Sequence, residues 1–148
     1  SRKASAADMP SMLGISQRSF TIPWSVASFE AEFYKDFSYL YIYTKEQGST
    51  IQLASSATAV GYLIIWDIQG EGEVVALAVD KGWRNRGIGS ALLSFAIEAH
   101  RVKVWHLEVD PVNSAAIGLY EKHGFKKNRV IRNYYGQGKD AMQMSREI

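Results

Sequence analysis

The chain contains no cysteine, which excludes disulfides, thiolate metal sites and a cysteine nucleophile together. Its three histidines, His100, His106 and His123, show no HExxH-like spacing, so no protein-bound catalytic metal is expected. Long apolar runs are missing as well. The longest, residues 59–66, is strand-length and well short of the roughly 18–20 residues that span a bilayer. The opening Ser-Arg-Lys lacks the apolar stretch of a signal peptide. Nor does one sign of charge dominate. A net charge of +2 is too small to mark a nucleic-acid binder, although residues 101–139 hold eight Lys and Arg against three Asp and Glu. That basic stretch reads as a solvated surface or as a contact for an anionic ligand. Together the absences fit a cytoplasmic protein with neither a nucleic-acid nor a membrane partner.

What is present is an ordinary globular composition. With 148 residues, 47% hydrophobic and 22% charged, the chain can form one packed core, and a single domain over 1–148 is expected. Residues 8–19 carry Met9, Met12, Leu13 and Ile15 at helical spacing, and Ser25 can cap a second helix through Phe29 and Phe33. Segments 39–44, 59–68 and 73–79 are rich in strand formers, and the turn-forming residues 67–72 should join the last two as an antiparallel hairpin. Over 87–101, Ile88, Leu92, Phe95 and Ala99 make one helical stripe. Then follow a strand over 102–109, a helix over 113–123 ended by Gly124, a strand over 125–131 and a last one over 141–144. Residues 47–57 have linker composition and read as a long hairpin loop. Only Arg2, Lys3 and Ala4 are available for a strand before Asp8, so that edge is expected to be incomplete. The order of elements predicts an α/β fold with a mixed sheet.

The strongest local signal runs from Val79 through Arg84-Asn85-Arg86-Gly87-Ile88-Gly89-Ser90. A strand enters a glycine-containing loop that opens an amphipathic helix. Successive backbone N–H groups and the helix N-terminal dipole at such a turn form an anion site. Gly87 and Gly89 would let a phosphate approach with no Cβ in the way, and Arg84 and Arg86 add charge. The spacing is neither the Walker A pattern nor a GxGxxG dinucleotide fingerprint. Read alone, it is equally a plain strand-to-helix turn.

One strand later come Leu107-Glu108-Val109 and Asn113-x-x-Ala116-x-x-Leu119-Tyr120-x-x-x-Gly124-Phe125. With Arg84-x-x-Gly87-x-Gly89, this set resembles the GCN5-related N-acetyltransferases, and more narrowly the bacterial ribosomal-protein-alanine N-acetyltransferases (RimI-like). Pro23-Trp24-Ser25, Ala78-Val79-Asp80 and Arg132-Asn133-Tyr134-Tyr135 belong to the same resemblance, which covers the chain from about Asp8 to Met144. The implied fold is a mixed, mostly antiparallel sheet of six to seven strands flanked by about four helices. The implied co-substrate is acetyl-CoA, with its pyrophosphate on the backbone of Asn85 to Ser90. Its pantetheine arm would lie along Leu77, Ala78 and Val79, where the family carries a strand bulge. Asn113 would contact the cofactor, and it is a competent helix N-cap in any case.

The resemblance makes Glu108 the general base for the attacking amine and Tyr120 the acid that protonates the departing thiolate. By plain physics, a carboxylate within an apolar strand needs a partner or a wet face, and Glu108 shares its face with His106. Trp24, Tyr134 and Tyr135 would wall the acceptor groove. Asp110-Pro111 stands where the alanine-acetylating enzymes typically carry a basic residue, which bears on the acceptor. With no cysteine for an acyl-enzyme, direct transfer of acetyl to a primary amine is expected. The favoured acceptor is a protein or peptide N-terminus beginning with Ala or Ser, such as that of a ribosomal protein. A small-molecule amine, a lysine side chain, or a non-catalytic acyl-CoA-binding module are the alternatives.

Overall fold

The computed structural model describes residues 1–20, 23–45 and 58–147. The loop expected over 47–57 lies outside the described residues. In chain order the elements are β1 (Arg2–Lys3), α1 (Met9–Ser19), α2 (Val26–Phe33), β2 (Ser38–Thr44), β3 (Ala59–Ile68), β4 (Glu71–Val79), α3 (Ile88–Ala99), β5 (Val104–Val109), α4 (Ser114–Lys122), β6 (Lys126–Gly136) and β7 (Lys139–Glu147). The seven strands form one sheet in the order β1-β2-β3-β4-β5-β7-β6. Every pairing is antiparallel except β4 with β5. This is the mixed, mostly antiparallel sheet expected from the sequence, with four α-helices on its two faces.

Local chemistry explains the ends of these elements. The Ser25 side chain accepts from the Ser28 N–H and starts α2. The β3–β4 hairpin turns on Gln69 and Gly70, at φ 52° and 83°, the paired left-handed conformation that suits the twist of the flanking strands. The first strand does form, but with only two residues. Arg2 and Lys3 pair with Ile42 and Tyr41, and the buried Asp8 carboxylate grips Arg2 through two hydrogen bonds of 3.0 and 2.9 Å. The strands over 71–79, 126–136 and 139–147 run longer than their apolar patterns suggested, because ladder pairing carries polar residues along.

The two faces of the sheet bury two separate cores. On one, α1 and α2 cover Leu40, Ile42, Tyr62, Ile64 and Ala78 with Met12, Ile15 and Phe29. On the other, α3 and α4 cover Leu63, Ile65, Val74, Trp105 and Leu107. The stripe expected on α3 needs correction. Its buried face is Ile88, Leu92, Leu93 and Ala96, whereas Phe95 is 37% exposed and Ala99 is exposed. The inward face is rotated by about one residue, leaving Phe95 at the rim with its ring edge-on to Tyr41 at 5.2 Å.

Buried polar groups tie the first layer together. Glu32 of α2, 2% exposed, accepts from the Ser38 hydroxyl at 3.0 Å and the Trp66 indole at 2.6 Å, and pairs with Lys35. A carboxylate so deep is tolerable only when satisfied in this way.

Gly72 faces Trp105 across the parallel β4/β5 ladder. A Cβ there would sit 2.6 Å from the ring of this fully buried tryptophan. Gly72→Ala is therefore expected to destabilise by about 1–3 kcal/mol through overpacking, read as a lower midpoint in urea unfolding; an unchanged midpoint would show that the Trp105 ring gives way freely.

Candidate active site

The parallel ladder between β4 and β5 is short. Glu71, Gly72, Glu73 and Val74 pair with Val104, Trp105, His106 and Leu107. Beyond that point β5 stays paired with β7, as Glu108 with Gln143 and Val109 with Met142. Meanwhile β4 stays with β3 through Leu77, Ala78 and Val79. The strands part between Val75 and Glu108, leaving a wedge in the middle of the sheet. One side of Leu77–Val79 therefore carries backbone groups with no β5 partner.

The bulge expected at Leu77, Ala78 and Val79 is displaced. Those residues pair in regular register with Leu63, Tyr62 and Gly61, and the irregularity falls at Val75, between Val74 and Ala76. One extra residue there turns β4 away from β5. Alternation then sends Ala78 into the α1/α2 core, while Leu77 and Val79 pack against the α3/α4 core.

Above the wedge, the 84–90 loop opens α3. Asn85 and Gly87 have positive φ of 62° and 78°, and intrahelical bonding starts with the Ala91 N–H donating to Gly87. The amides of Ile88, Gly89 and Ser90 are thus the orphan donors of the first turn. Arg84 turns inward. Its Nε donates to the Val79 carbonyl at 3.0 Å and a terminal nitrogen reaches the Ser19 hydroxyl at 3.4 Å. Arg86 stacks over Trp83 at 4.8 Å. The two glycines differ: a Cβ at Gly87 would meet open space, whereas one at Gly89 would approach Leu119 of α4 to 3.1 Å. Gly87 is needed for its left-handed backbone, and Gly89 for close packing against α4. The Ser90 hydroxyl is bonded to His123 Nε2 at 2.7 Å, and burial holds the imidazole below its ordinary pKa.

Glu108 and Tyr120 approach the wedge from opposite faces. On β5 the buried residues are Trp105, Leu107 and Val109, facing α3 and α4, so His106 and Glu108 face the α1/α2 side. Tyr120 lies in the α3/α4 core at 7% exposure. It is held by the end of α4, where the Phe125 and Gly124 N–H groups donate back to the carbonyls of Tyr120 and Glu121. The Phe125 ring lies 5.7 Å from Tyr120, completing a Schellman closure with its hydrophobic contact. Burial pushes the Tyr120 phenol far above its usual range, so it stays protonated. At the start of α4 the Asn113 side chain accepts from the Ala116 N–H at 3.1 Å.

Sequence reasoning missed Glu73. Its register opposite His106 puts it on the same face as Glu108, at the mouth of the wedge. Burial, and then the Glu108 carboxylate, push Glu73 above the usual carboxylate range. The missed signal was a lone acid in the strand pattern of 73–79. The Tyr134 phenol is raised by burial first and then by the nearby Glu108 carboxylate. Tyr135 is edge-on to Tyr134 at 5.0 Å and is pushed up to about 12, by burial and then by Tyr134.

Trp24 joins the other side of this face. Its ring packs on Phe29 at 5.3 Å and its backbone N–H donates to the Ser16 hydroxyl at 2.7 Å. The structure thus brings Tyr134 and Tyr135 to Glu108, while Trp24 is seated on the α1/α2 core. Asp110 closes its own loop by accepting from the Val112 N–H at 3.0 Å. Among the described residues no group of three or more His, Cys, Asp and Glu is placed to hold a metal ion, and no helix is long and apolar enough to cross a membrane.

Comparison with known proteins agrees with this geometry. Residues 9–125 match the Acetyltransferase (GNAT) family. The [ribosomal protein bS18]-alanine N-acetyltransferase of Escherichia coli K12 is 32% identical over 131 residues, covering 86% of this chain and 81% of that protein. An N-alpha-acetyltransferase of Sulfurisphaera tokodaii is 43% identical over 79 residues, 51% of this chain and 47% of its own length. Among solved structures, the Escherichia coli ribosomal-protein-S18-alanine N-acetyltransferase superposes with a TM-score of 0.80 at 27% identity, covering 99% of this chain and 91% of its own. A strand-parted sheet, a free helix N-terminus above the gap and a matching sequence over most of the chain lead to one assignment: the protein belongs to the GNAT family and is an N-acetyltransferase similar to the ribosomal-protein-alanine N-acetyltransferases.

Proposed function

We propose that the protein transfers acetyl from acetyl-CoA to the N-terminal α-amine of a protein beginning with Ala or Ser, a ribosomal protein being the leading candidate. The observation that carries this reading is the placement of Glu108 at the mouth of the wedge, on the face opposite Tyr120 and the α3 N-terminus. In this reading the pyrophosphate takes the amides of 85–90, with Asn113 nearby, and the pantetheine arm runs along Leu77–Val79. Arg84 then acts by bracing the loop. The acceptor enters from the α1/α2 face between Trp24 and the Tyr134–Tyr135 pair. Its nitrogen attacks the thioester carbonyl, the C–N bond forms and the C–S bond breaks. Glu108 takes a proton from the nitrogen, and Tyr120 supplies one to sulfur. A ribosomal-protein acceptor would place the reaction in the cytoplasm.

Amine acidity supports an α-amine. Its reference pKa is about 7.7–8.0, against about 10.4 for lysine. At neutral pH roughly a tenth to a fifth of α-amines are already nucleophilic, and well under a thousandth of lysines. A lysine acceptor would ask the site for a further ~3 kcal/mol. The names of the relatives, an N-alpha-acetyltransferase and a ribosomal-protein-alanine N-acetyltransferase, point the same way.

Three measurements check this reading. Glu108→Gln and Tyr120→Phe should each lower kcat by ~10²–10⁴-fold while leaving acetyl-CoA affinity nearly unchanged by calorimetry; a wild-type kcat for Glu108→Gln across pH 6 to 9 would remove the base. Acetyl-CoA at about 100 times its Kd should stabilise the fold by about 2.7 kcal/mol, and Gly87→Ala should weaken that binding because a methyl there projects over the proposed phosphate cradle. Equal affinity in a folded Gly87→Ala variant would exclude the cradle. Mass spectrometry of an acetylated Ala- or Ser-initiated peptide should find the group on the terminal nitrogen; acetyl on an internal lysine alone would overturn the acceptor.

A further inference from the structure

The Ser90 hydroxyl has a partner that the reading above leaves without a task. Ser90 is the third residue of α3 and is half-buried. Its amide is one of the three free donors of the first turn. Side chains lean toward the N-terminus of their own helix, so its hydroxyl sits level with those donors. Among the described residues its hydrogen-bond partner is His123 Nε2, at 2.7 Å. His123 is the C-cap residue of α4. It also lines a surface cavity of about 400 Å³, room enough for water to reach the imidazole. Facing it are Ser90, Ser94 and Glu98 from α3, Arg146 from β7 and Lys122 from the end of its own helix.

We propose that His123 is a positioning residue for the cofactor: through Ser90 it sets whether the cradle offers a phosphate one more hydrogen-bond donor, and so makes acetyl-CoA binding proton-coupled. This rests on the pyrophosphate lying on residues 85–90.

The device turns on one hydrogen. A serine hydroxyl has a single hydrogen to donate. Where the neutral imidazole carries its proton on Nδ1, Nε2 accepts that hydrogen, and Ser90 presents only lone pairs to an incoming phosphate. An imidazolium has no lone pair left. Its Nε2–H donates to the Ser90 oxygen, and the hydroxyl hydrogen is free for the anion. The neutral Nε2–H tautomer permits the same arrangement. Between the two, the negative charge of a phosphate favours the imidazolium.

In the free protein burial, and then Arg146 and Lys122, hold His123 below its ordinary pKa, so at neutral pH the ring is mostly uncharged. A pyrophosphate beside Ser90 adds the opposite charge and raises that pKa in the complex. The direction of the effect follows by linkage. A group whose pKa rises on binding contributes affinity that is complete below its free-state pKa. That contribution is lost as pH climbs through the pKa of the complex. A rise of about one unit makes binding up to ~10-fold tighter on the acid side.

Dephospho-CoA is the probe, because it keeps the pyrophosphate and lacks the 3′-phosphate monoester, which itself titrates near about pH 6. Calorimetric titrations between pH 5.5 and 8 compare wild type with His123→Gln, Ser90→Ala and Gly87→Ala, each checked for folding by a thermal melt. Wild type should bind about 3- to 10-fold more tightly at pH 5.5 than at pH 8. Proton uptake should appear as unequal heats in two buffers of different protonation enthalpy. His123→Gln sets a neutral amide at the same reach, able to donate to Ser90, and should lose most of the pH dependence. Ser90→Ala should bind ~10-fold more weakly at pH 5.5 and lose the slope as well. In wild type the His123 ring resonances should titrate at higher pH with the ligand bound than without it, a reading that needs no variant. A full wild-type slope in folded Ser90→Ala or His123→Gln overturns the relay, as does a His123 titration that the ligand leaves unmoved. If Gly87→Ala still weakens binding at every pH in that case, the cradle stands. Undiminished binding in both Gly87→Ala and Ser90→Ala removes the cradle itself, and the relay with it.

Discussion

Everything distinctive in this molecule depends on where two parallel strands stop pairing. β4 is bound to β3 along its length and β5 to β7 along its own, so each strand has a partner that it keeps to the end. Between them only four residue pairs form. Right-handed twist accumulates across each half of the sheet, and the extra residue at Val75 adds to the divergence. The result is a gap bounded by backbone, which is stiffer than any arrangement of side chains. Leu77, Ala78 and Val79 keep unshared hydrogen-bonding groups along one wall because the neighbouring ladder has ended. Glu108 escapes the β4 ladder for the same reason.

The two faces of the sheet then divide the chemistry. The α3/α4 layer presents a helix N-terminus with three orphan amides and a phenol held protonated in an apolar core. The α1/α2 layer presents carboxyls and the rim tyrosines. Burial holds a phenol in its protonated form, whereas a carboxyl ionises more readily toward water, and the sheet separates these two environments.

Anchors on both layers hold this arrangement. Arg18 of α1 makes paired hydrogen bonds of 2.7 and 2.9 Å to Asp80, just past the end of β4, and Arg84 ties the following loop to Val79 and Ser19. Exposed ion pairs of this kind add little stability on average. Here they tie α1 and the loop after β4 to the end of that strand. The Schellman closure at Gly124 does the same for Tyr120.

The order of elements, the capping by Ser25 and Asn113, the β3–β4 hairpin and the helix end at Gly124 were legible in the chain itself, because each depends on residues within a few positions of one another. So were the loop of 84–90 and the stretch from Glu108 to Tyr120, since loop geometry and helical spacing are local properties. Three features were not. The inward face of α3 was misjudged because Phe95 and Leu93 are both apolar and only the neighbouring layer selects between them. The irregularity in β4 was placed at the wrong residues, since a bulge is a relation between two strands. Glu73 passed unnoticed because one acid in a strand acquires meaning only from what stands across the ladder. The sequence by itself determined which chemical groups the site contains and the local turns that present them. The tertiary structure decided which groups share a face, because Glu73 and Glu108, thirty-five positions apart in the chain, come to one side of the sheet only through the register of a four-residue ladder and the point at which that ladder ends.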